Sequence, residues 1–213
     1  MNYRIFGKTG KKVSVLGFGC MRLPVLDNDN GKVNIPEATR MLHYAIEHGV
    51  NYIDTAYTYH EGKGEQAVAK ALEGYRSKVY LATKLPVWNV EKHEDMERLL
   101  DEQLQRLNTD VIDFYLVHSL NRNYWKKLVD LDLFDFLHRV KEKGKVQHLG
   151  FSFHDDYDQF VTIVDSFPWE FCQIQYNYLD ENFQAGTKGL KYAHRKGLGV
   201  AIMEPLRGVT LVK

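Results

Sequence analysis

Short apolar runs alternate with helix-patterned segments along almost the whole of this chain. The apolar runs are nearly continuous, which is typical of parallel strands that are covered on both faces. The segments between them carry apolar residues every three or four positions, as Ala38, Leu42 and Ala45 do. The runs recur at roughly 25 to 35 residues, the length of one βα unit. The alternation predicts a parallel α/β fold.

The predicted strands and helices share one order, strand then helix. The predicted strands are 15–20, 51–55, 79–84, 112–118, 146–152, 171–176 and 199–203. The predicted helices are 35–48, 65–72, 90–107, 125–143, 157–165 and 189–195. Ahead of them, short runs at 4–7 and 12–16 flank Gly10, which predicts a hairpin. We expect this hairpin to plug the bottom of a barrel.

The element order favours a (β/α)₈ TIM-type barrel. The alternative is an open doubly wound sheet, which usually carries a glycine-rich phosphate-binding sequence after its first strand. Residues 17–22 stand at that place, but they lack the third glycine. Seven strands are predicted, whereas a closed barrel needs eight. We therefore expect residues 1–213 to be a single barrel domain that lacks its last βα unit and C-terminal region, as part or a trimmed form of a longer protein.

The charge and the cysteines narrow the classes of function. Lysine plus arginine and aspartate plus glutamate both number 28, so the net charge is zero and favours neither nucleic acid nor an anionic membrane. No stretch approaches 18 apolar residues, and no signal peptide is evident, so we expect a cytoplasmic protein.

Cys20 and Cys172 lie too far apart for a metal or disulfide motif and are too few for an iron–sulfur cluster. We expect buried, reduced thiols and no metal site, and the oligomeric state stays open.

Four polar residues, Asp54, Tyr59, Lys84 and His118, lie at or just after the ends of three successive predicted strands. In a (β/α) barrel these strand ends meet at one mouth, where the active site forms. A phenol, an amine, a carboxylate and an imidazole gathered there can deliver a proton. The placement therefore points to an enzyme.

The chemistry of the four groups suggests reduction of a carbonyl. Tyr59 is the candidate acid, and a nearby Lys84 ammonium is expected to lower the pKa of the phenol. Asp54 would keep Lys84 protonated, and His118 would hydrogen-bond the substrate oxygen. Since no side chain can donate a hydride, a nicotinamide cofactor is required.

Each residue also has a plainer interpretation. Asp54 alone is more often a helix cap or turn residue. Lys84 could be a solvated strand end, and His118 a core histidine. What favours the functional interpretation is their joint position on three successive units.

Several strings resemble those of the aldo-keto reductases, in that family's order and over essentially the whole chain. They are Leu16-Gly-Phe-Gly-Cys-Met-Arg22, Asp54-Thr-Ala-Tyr-Thr-Tyr59, Ala82-Thr-Lys84, Tyr115-Leu-Val-His118, Leu149-Gly-Phe-Ser152, Gln173-Ile-Gln-Tyr-Asn177 and Ile202-Met-Glu-Pro-Leu-Arg207. The Asp-Thr-Ala-x-x-Tyr string is specific. The resemblance is to a bacterial branch whose members can carry a C-terminal ferredoxin-like extension.

The resemblance implies a site as well as a fold. It places the family's catalytic tetrad at Asp54, Tyr59, Lys84 and His118. It implies that further residues hold the nicotinamide of NADP(H), with NAD(H) also possible. Gly19, Cys20 and Met21 would approach the ribose, Ser152 and Gln173 would hold the carboxamide, and Met203 would pack on the ring. Phe153 and His154 depart from the family, which commonly has Asn after the serine.

The resemblance implies NAD(P)H-dependent reduction of an aldehyde or ketone to an alcohol, with the proton from Tyr59. The partner would be a small carbonyl substrate. One alternative is a nicotinamide-binding regulatory or sensing subunit with little turnover. Another is a truncated, non-catalytic fragment.

Overall fold

The computed structural model describes residues 1–208, 210 and 211. Within this part, the strands are β1 (Tyr3–Ile5), β2 (Lys12–Ser14), β3 (Phe18–Gly19), β4 (Tyr52–Asp54), β5 (Tyr80–Leu85), β6 (Ile112–Leu120), β7 (Val146–Phe153), β8 (Phe171–Gln175) and β9 (Gly199–Met203). The helices are α1 (Ile35–Glu47), α2 (Gly64–Ala71), α3 (His93–Arg106), α4 (Arg122–Asp130), α5 (Leu133–Glu142), α6 (Tyr157–Ser166) and α7 (Gly186–Arg195). The elements follow the predicted order.

Strands β3 to β9 form a 7-stranded parallel sheet in sequential order. Every crossover therefore advances in the same direction, which curls the sheet toward a barrel with its helices outside. A doubly wound sheet would reverse direction at one point. The barrel-type prediction is confirmed, and the doubly wound alternative is excluded. In the described part of the chain, β3 and β9 are the two edge strands of this sheet and do not pair with each other.

The hairpin of β1 and β2 closes the bottom of this curled sheet, as predicted. Phe6 follows β1, and its ring centroid lies 5.5 Å from that of Phe114 on β6 and 5.5 Å from that of Phe171 on β8. Both of the strand aromatics are fully buried. The hairpin thus brings an aromatic plug into the interior at the amino ends of the strands.

The predicted helix 125–143 is wrong: the chain forms two helices, α4 and α5, separated at Asp132 with φ of 57°. Leu128 and Leu137 explain the break. Nine residues apart at about 100° each, they would lie on opposite faces of one continuous helix. Both are buried, at 0% and 1% exposure. Breaking the helix between them lets both side chains face the core.

Predicted strand 15–20 is also mostly wrong. Only Phe18–Gly19 forms β3, and Val15 and Leu16 are each 62% exposed. The Val15 amide instead donates to the Asn2 carbonyl, and the Ser14 hydroxyl donates to the carbonyl of Leu16. These bonds continue the hairpin and keep this segment out of the parallel sheet.

Cys20 and Cys172 are free and fully buried, as predicted, and burial raises the pKa of both thiols. Across residues 1–208, 210 and 211, no group of three or more potential His, Cys, Asp or Glu ligands is placed to hold a metal ion. None of the helices found there has the length and apolar character needed to cross a membrane.

Candidate active site

The four residues singled out from the sequence converge at the carboxyl ends of β4, β5 and β6. Asp54 ends β4, Lys84 is the penultimate residue of β5, and His118 is the third residue from the end of β6. Tyr59 begins the short 3-10 helix Tyr59–Gly62 after β4. Because the strands are parallel and adjacent, their ends bring these side chains to one edge.

Lys84 is the centre of this group. Its Nζ donates to Asp54 Oδ1 at 2.7 Å, to the Thr55 carbonyl at 2.7 Å and to the Tyr59 hydroxyl at 3.5 Å. An ammonium has three donors, and all three are used here. Burial lowers the pKa of Lys84, but Asp54 and Tyr59 outweigh it, so the net pKa is raised. The lysine is therefore a fixed, buried cation at neutral pH.

The pKa of Tyr59 differs from the sequence-based expectation. Burial raises the pKa of the phenol, and the Lys84 charge offsets only part of that rise. Lys84 lowers the pKa of the phenol as expected, but desolvation of the phenolate is the larger effect, so the expected net lowering of the Tyr59 pKa is wrong. Tyr59 thus keeps its proton at neutral pH, which is the form that a proton donor needs.

His118 is held as a neutral imidazole. Burial lowers its pKa well below the usual range, and the positive charge of Lys84, with that of His154 when this residue is protonated, lowers it further. Its ring lies edge-on to Tyr59, with centroids 6.4 Å apart, and packs 4.9 Å from the ring of Trp88. Its Nδ1 is buried and has no hydrogen-bond partner among the described residues. A neutral ring so placed can donate one hydrogen bond at the mouth.

Two of the other predicted residues lie on adjacent strands beside the four. Gln173 on β8 is buried, and its Nε2 lies 3.4 Å from Asp54 Oδ2, so it contacts the group directly. Ser152 on β7 pairs in register with Gln173. Its hydroxyl oxygen accepts a hydrogen bond from the Ser119 amide at 2.7 Å, which leaves the hydroxyl hydrogen available.

The remaining predicted residues lie at the rim. Gly19 is exposed and pairs in register with Asp54, and Met21 is 57% exposed. Cys20 between them is fully buried, and its thiol lies near enough to Asp54 and Lys84 for both groups to affect its pKa. Met203 is half-buried at the end of β9.

Sequence reasoning missed two features of the site. Trp88, four positions after Lys84, is 37% exposed and packs on His118; an aromatic residue so soon after a site residue was the available signal. Glu65 is fully buried, and its carboxylate accepts a hydrogen bond from Thr83, the residue before Lys84. Its position at the start of a helix is one where acidic residues are ordinarily solvated, and so it gave no signal.

A family model described as the Aldo/keto reductase family matches residues 15–213. The chain belongs to this family. The L-galactose dehydrogenase of Arabidopsis thaliana is 28% identical over 216 residues, covering 95% of this chain and 65% of that protein. The chain spans about half to two thirds of the length of the first curated relatives it matches.

Solved structures of aldo-keto reductases share the fold. The holo form from Bacillus halodurans is 26% identical with a TM-score of 0.77, covering 98% of this chain and 68% of that one. The enzyme from Klebsiella pneumoniae in complex with NADP and acetate is 23% identical with a TM-score of 0.75, covering 98% and 70%. At that identity, the second likeness concerns the fold alone.

Proposed function

We propose that this chain reduces an aldehyde or ketone to the alcohol with NADP(H), or alternatively NAD(H), and that Tyr59 supplies the proton. The observation that carries the proposal is the contact of one buried ammonium, Lys84, with both the Asp54 carboxylate and the Tyr59 hydroxyl. Membership in the Aldo/keto reductase family supports the same chemistry.

Each side chain has a distinct task in this proposal. Tyr59 donates its proton to the carbonyl oxygen as negative charge develops there. Lys84 stabilises the phenolate that is left, because its charge is held close by in a site of low dielectric. Asp54 keeps Lys84 protonated and oriented. Neutral His118 donates a second hydrogen bond to the same oxygen and positions it.

The residues at the mouth fit a nicotinamide. A Cβ placed on Gly19 would meet nothing within 4 Å, so the rim is open beside Asp54. The buried His118 Nδ1 has no hydrogen-bond partner among the described residues, so part of the hydrogen-bonding capacity of this ring is unused. Gly19, Cys20 and Met21 would approach the ribose, Ser152 and Gln173 would hold the carboxamide, and Met203 would pack on the ring. When bound, the nicotinamide supplies the hydride.

The test is NADPH-dependent reduction of 4-nitrobenzaldehyde by the wild type and by Tyr59→Phe. We expect Tyr59→Phe to lower kcat by about 100-fold or more, since the variant has no proton to donate. Tyr44→Phe is the matched control, because Tyr44 is 61% exposed on α1, away from the mouth. A Tyr59→Phe rate equal to that of the wild type would overturn the proton-donor assignment. Binding of NADPH, followed by its fluorescence, without turnover would instead favour the sensing function.

A further inference from the structure

A buried carboxylate lies directly behind the candidate active site, on the helix side of the sheet. Glu65, the second residue of α2, has no exposed surface. Its Oε1 accepts hydrogen bonds from the Thr83 hydroxyl at 2.6 Å and from Gln103 Nε2 at 2.8 Å. Its Oε2 has no hydrogen-bond donor among the described residues, and Arg106 Nη1 lies 3.6 Å away.

One end of this carboxylate network holds the Lys84 strand. Thr83 immediately precedes Lys84 in β5, so its side chain points to the opposite face of the strand. Gln103 on α3 also donates to the Lys84 carbonyl at 2.9 Å and to the Thr83 hydroxyl oxygen at 3.1 Å. The backbone at Lys84 is thereby fixed from behind.

The other end holds the Tyr59 segment. Glu65 is the second residue of α2, the helix that follows the Tyr59 segment, and the first residue, Gly64, packs against the tyrosine backbone. A Cβ on Gly64 would lie 2.9 Å from the Tyr59 carbonyl oxygen, so the contact is as close as glycine allows. A displacement of Glu65 would therefore also displace Gly64 and, through this contact, the backbone of Tyr59.

We propose that Glu65 is a positioning residue, which sets the separation of the Tyr59 hydroxyl and the Lys84 ammonium by tying α2 to β5. This inference rests on the proposed function of Tyr59 and Lys84. The Tyr59–Lys84 contact is the longest of the three that the ammonium makes, at 3.5 Å, and small displacements would break it.

A space-filling role explains Glu65 less well. Burial raises the pKa of its carboxyl, and only the Thr83 and Gln103 hydrogen bonds, with the Arg106 charge, oppose that cost. An apolar side chain of similar volume would fill the space without a desolvation penalty. What the carboxylate adds is one oxygen that accepts from two elements at once.

The test compares Glu65→Ala, Glu65→Gln and Thr83→Val with Asp113→Asn. Asp113 is a matched control, because it is also a buried carboxylate that accepts hydrogen bonds, from Arg76 and from the Leu81 amide. It lies at the amino ends of β5 and β6, away from the candidate active site at their carboxyl ends. We expect Glu65→Ala to lower kcat by about 10- to 100-fold while KM for NADPH changes by less than about 2-fold. Glu65→Gln keeps an oxygen acceptor for Thr83 and should recover part of the rate. Asp113→Asn should lose stability and keep its kcat.

A second readout does not depend on turnover. In protein labelled with ¹³C at tyrosine Cζ, the Tyr59 signal can be assigned by its loss in Tyr59→Phe. We expect this signal to shift in Glu65→Ala and Thr83→Val, because Lys84 moves away, and to stay in place in Asp113→Asn. Equal kcat losses in Glu65→Ala and Asp113→Asn, or an unmoved Tyr59 signal, would overturn the inference. A wild type that lacks reductase activity would refute the proposed function, and the ¹³C shift would still decide the positioning role.

Discussion

Lys84 Nζ lies 2.7 Å from Asp54 Oδ1, and only 2% of the lysine side chain is exposed. An ion pair this deeply buried is costly to desolvate, and removing one partner leaves the other charge uncompensated. The pair therefore makes both stability and the proposed chemistry depend on the same contact. These two effects can be separated experimentally.

Asp54→Asn should lower the free energy of unfolding by about 3–5 kcal/mol, because it leaves the buried Lys84 ammonium without a negatively charged partner. Urea unfolding followed by circular dichroism would measure the change. The double variant Asp54→Asn/Lys84→Met removes both charges and should recover most of the stability without recovering reductase activity. A double variant that is no more stable than the single one would contradict the account of a buried pair.

The activity should show no break near pH 6.5 that arises from His118. Burial keeps the pKa of His118 well below its ordinary 6.5, so the folded ring stays neutral as the pH falls through that value. The unfolded chain does bind the proton there, so this group makes stability decline as the pH drops below about 6.5. His118→Gln should weaken that decline in urea unfolding at pH 7.5 and 5.5. His194→Gln, at an exposed histidine, should leave it unchanged.

The strand ends at Asp54, Lys84 and His118 could be predicted from the sequence, because an apolar run shows where a buried strand stops. The pKa of Tyr59 could not. It is the balance between desolvation and one nearby charge, and both depend on distances that the sequence does not contain.

The break at Asp132 was missed for a different reason. Apolar residues recur every three positions on both sides of it, so the pattern continues although the helix does not. In a helix of 3.6 residues per turn, side chains three positions apart do not stay on one face but move progressively around the helix. This change of face was the available signal that one continuous helix could not bury all of these residues. Glu65 was missed because its hydrogen-bond donors come from strand β5 and helix α3, far away in the sequence.

Glu170 should stabilise the fold in a pH-dependent way at the amino ends of the strands. Burial raises the pKa of its carboxyl, but hydrogen bonds from His148, Lys141 and the Leu149 amide outweigh this and lower the pKa from 4.5 to about 2. Above pH 4.5 the Glu170 carboxylate is ionised in both states, and its stabilisation of the folded state is fully present. It is lost as the pH falls from 4.5 toward 2, because the unfolded chain takes up the proton first.

Glu170→Gln should therefore lower the free energy of unfolding by about 2 kcal/mol at pH 7, allowing for screening by solvent. The difference from the wild type should shrink between pH 5 and pH 3, as measured by urea unfolding. Glu73→Gln is the control, since Glu73 pairs with Lys70 at a site where its side chain is 60% exposed. A difference that stays constant over this pH range would refute the assignment.

Gly7 and Gly10 offer a test of the hairpin plug, because both have positive φ but differ in their surroundings. Gly7 has φ of 53°, and a Cβ there would lie 1.9 Å from the backbone nitrogen of Gly199. Gly10 has φ of 67°, and a Cβ there would meet nothing within 4 Å. Gly10→Ala should therefore cost about 1–2 kcal/mol of unfolding free energy, the strain of the left-handed backbone alone.

Gly7→Ala should cost at least about 3 kcal/mol, since the clash with β9 adds to the same strain and pushes Phe6 out of the interior. Thermal unfolding of the two variants beside the wild type would measure the difference. Equal losses in both variants would mean that the hairpin does not press against β9, and the plug at the bottom of the sheet would then contribute little to stability.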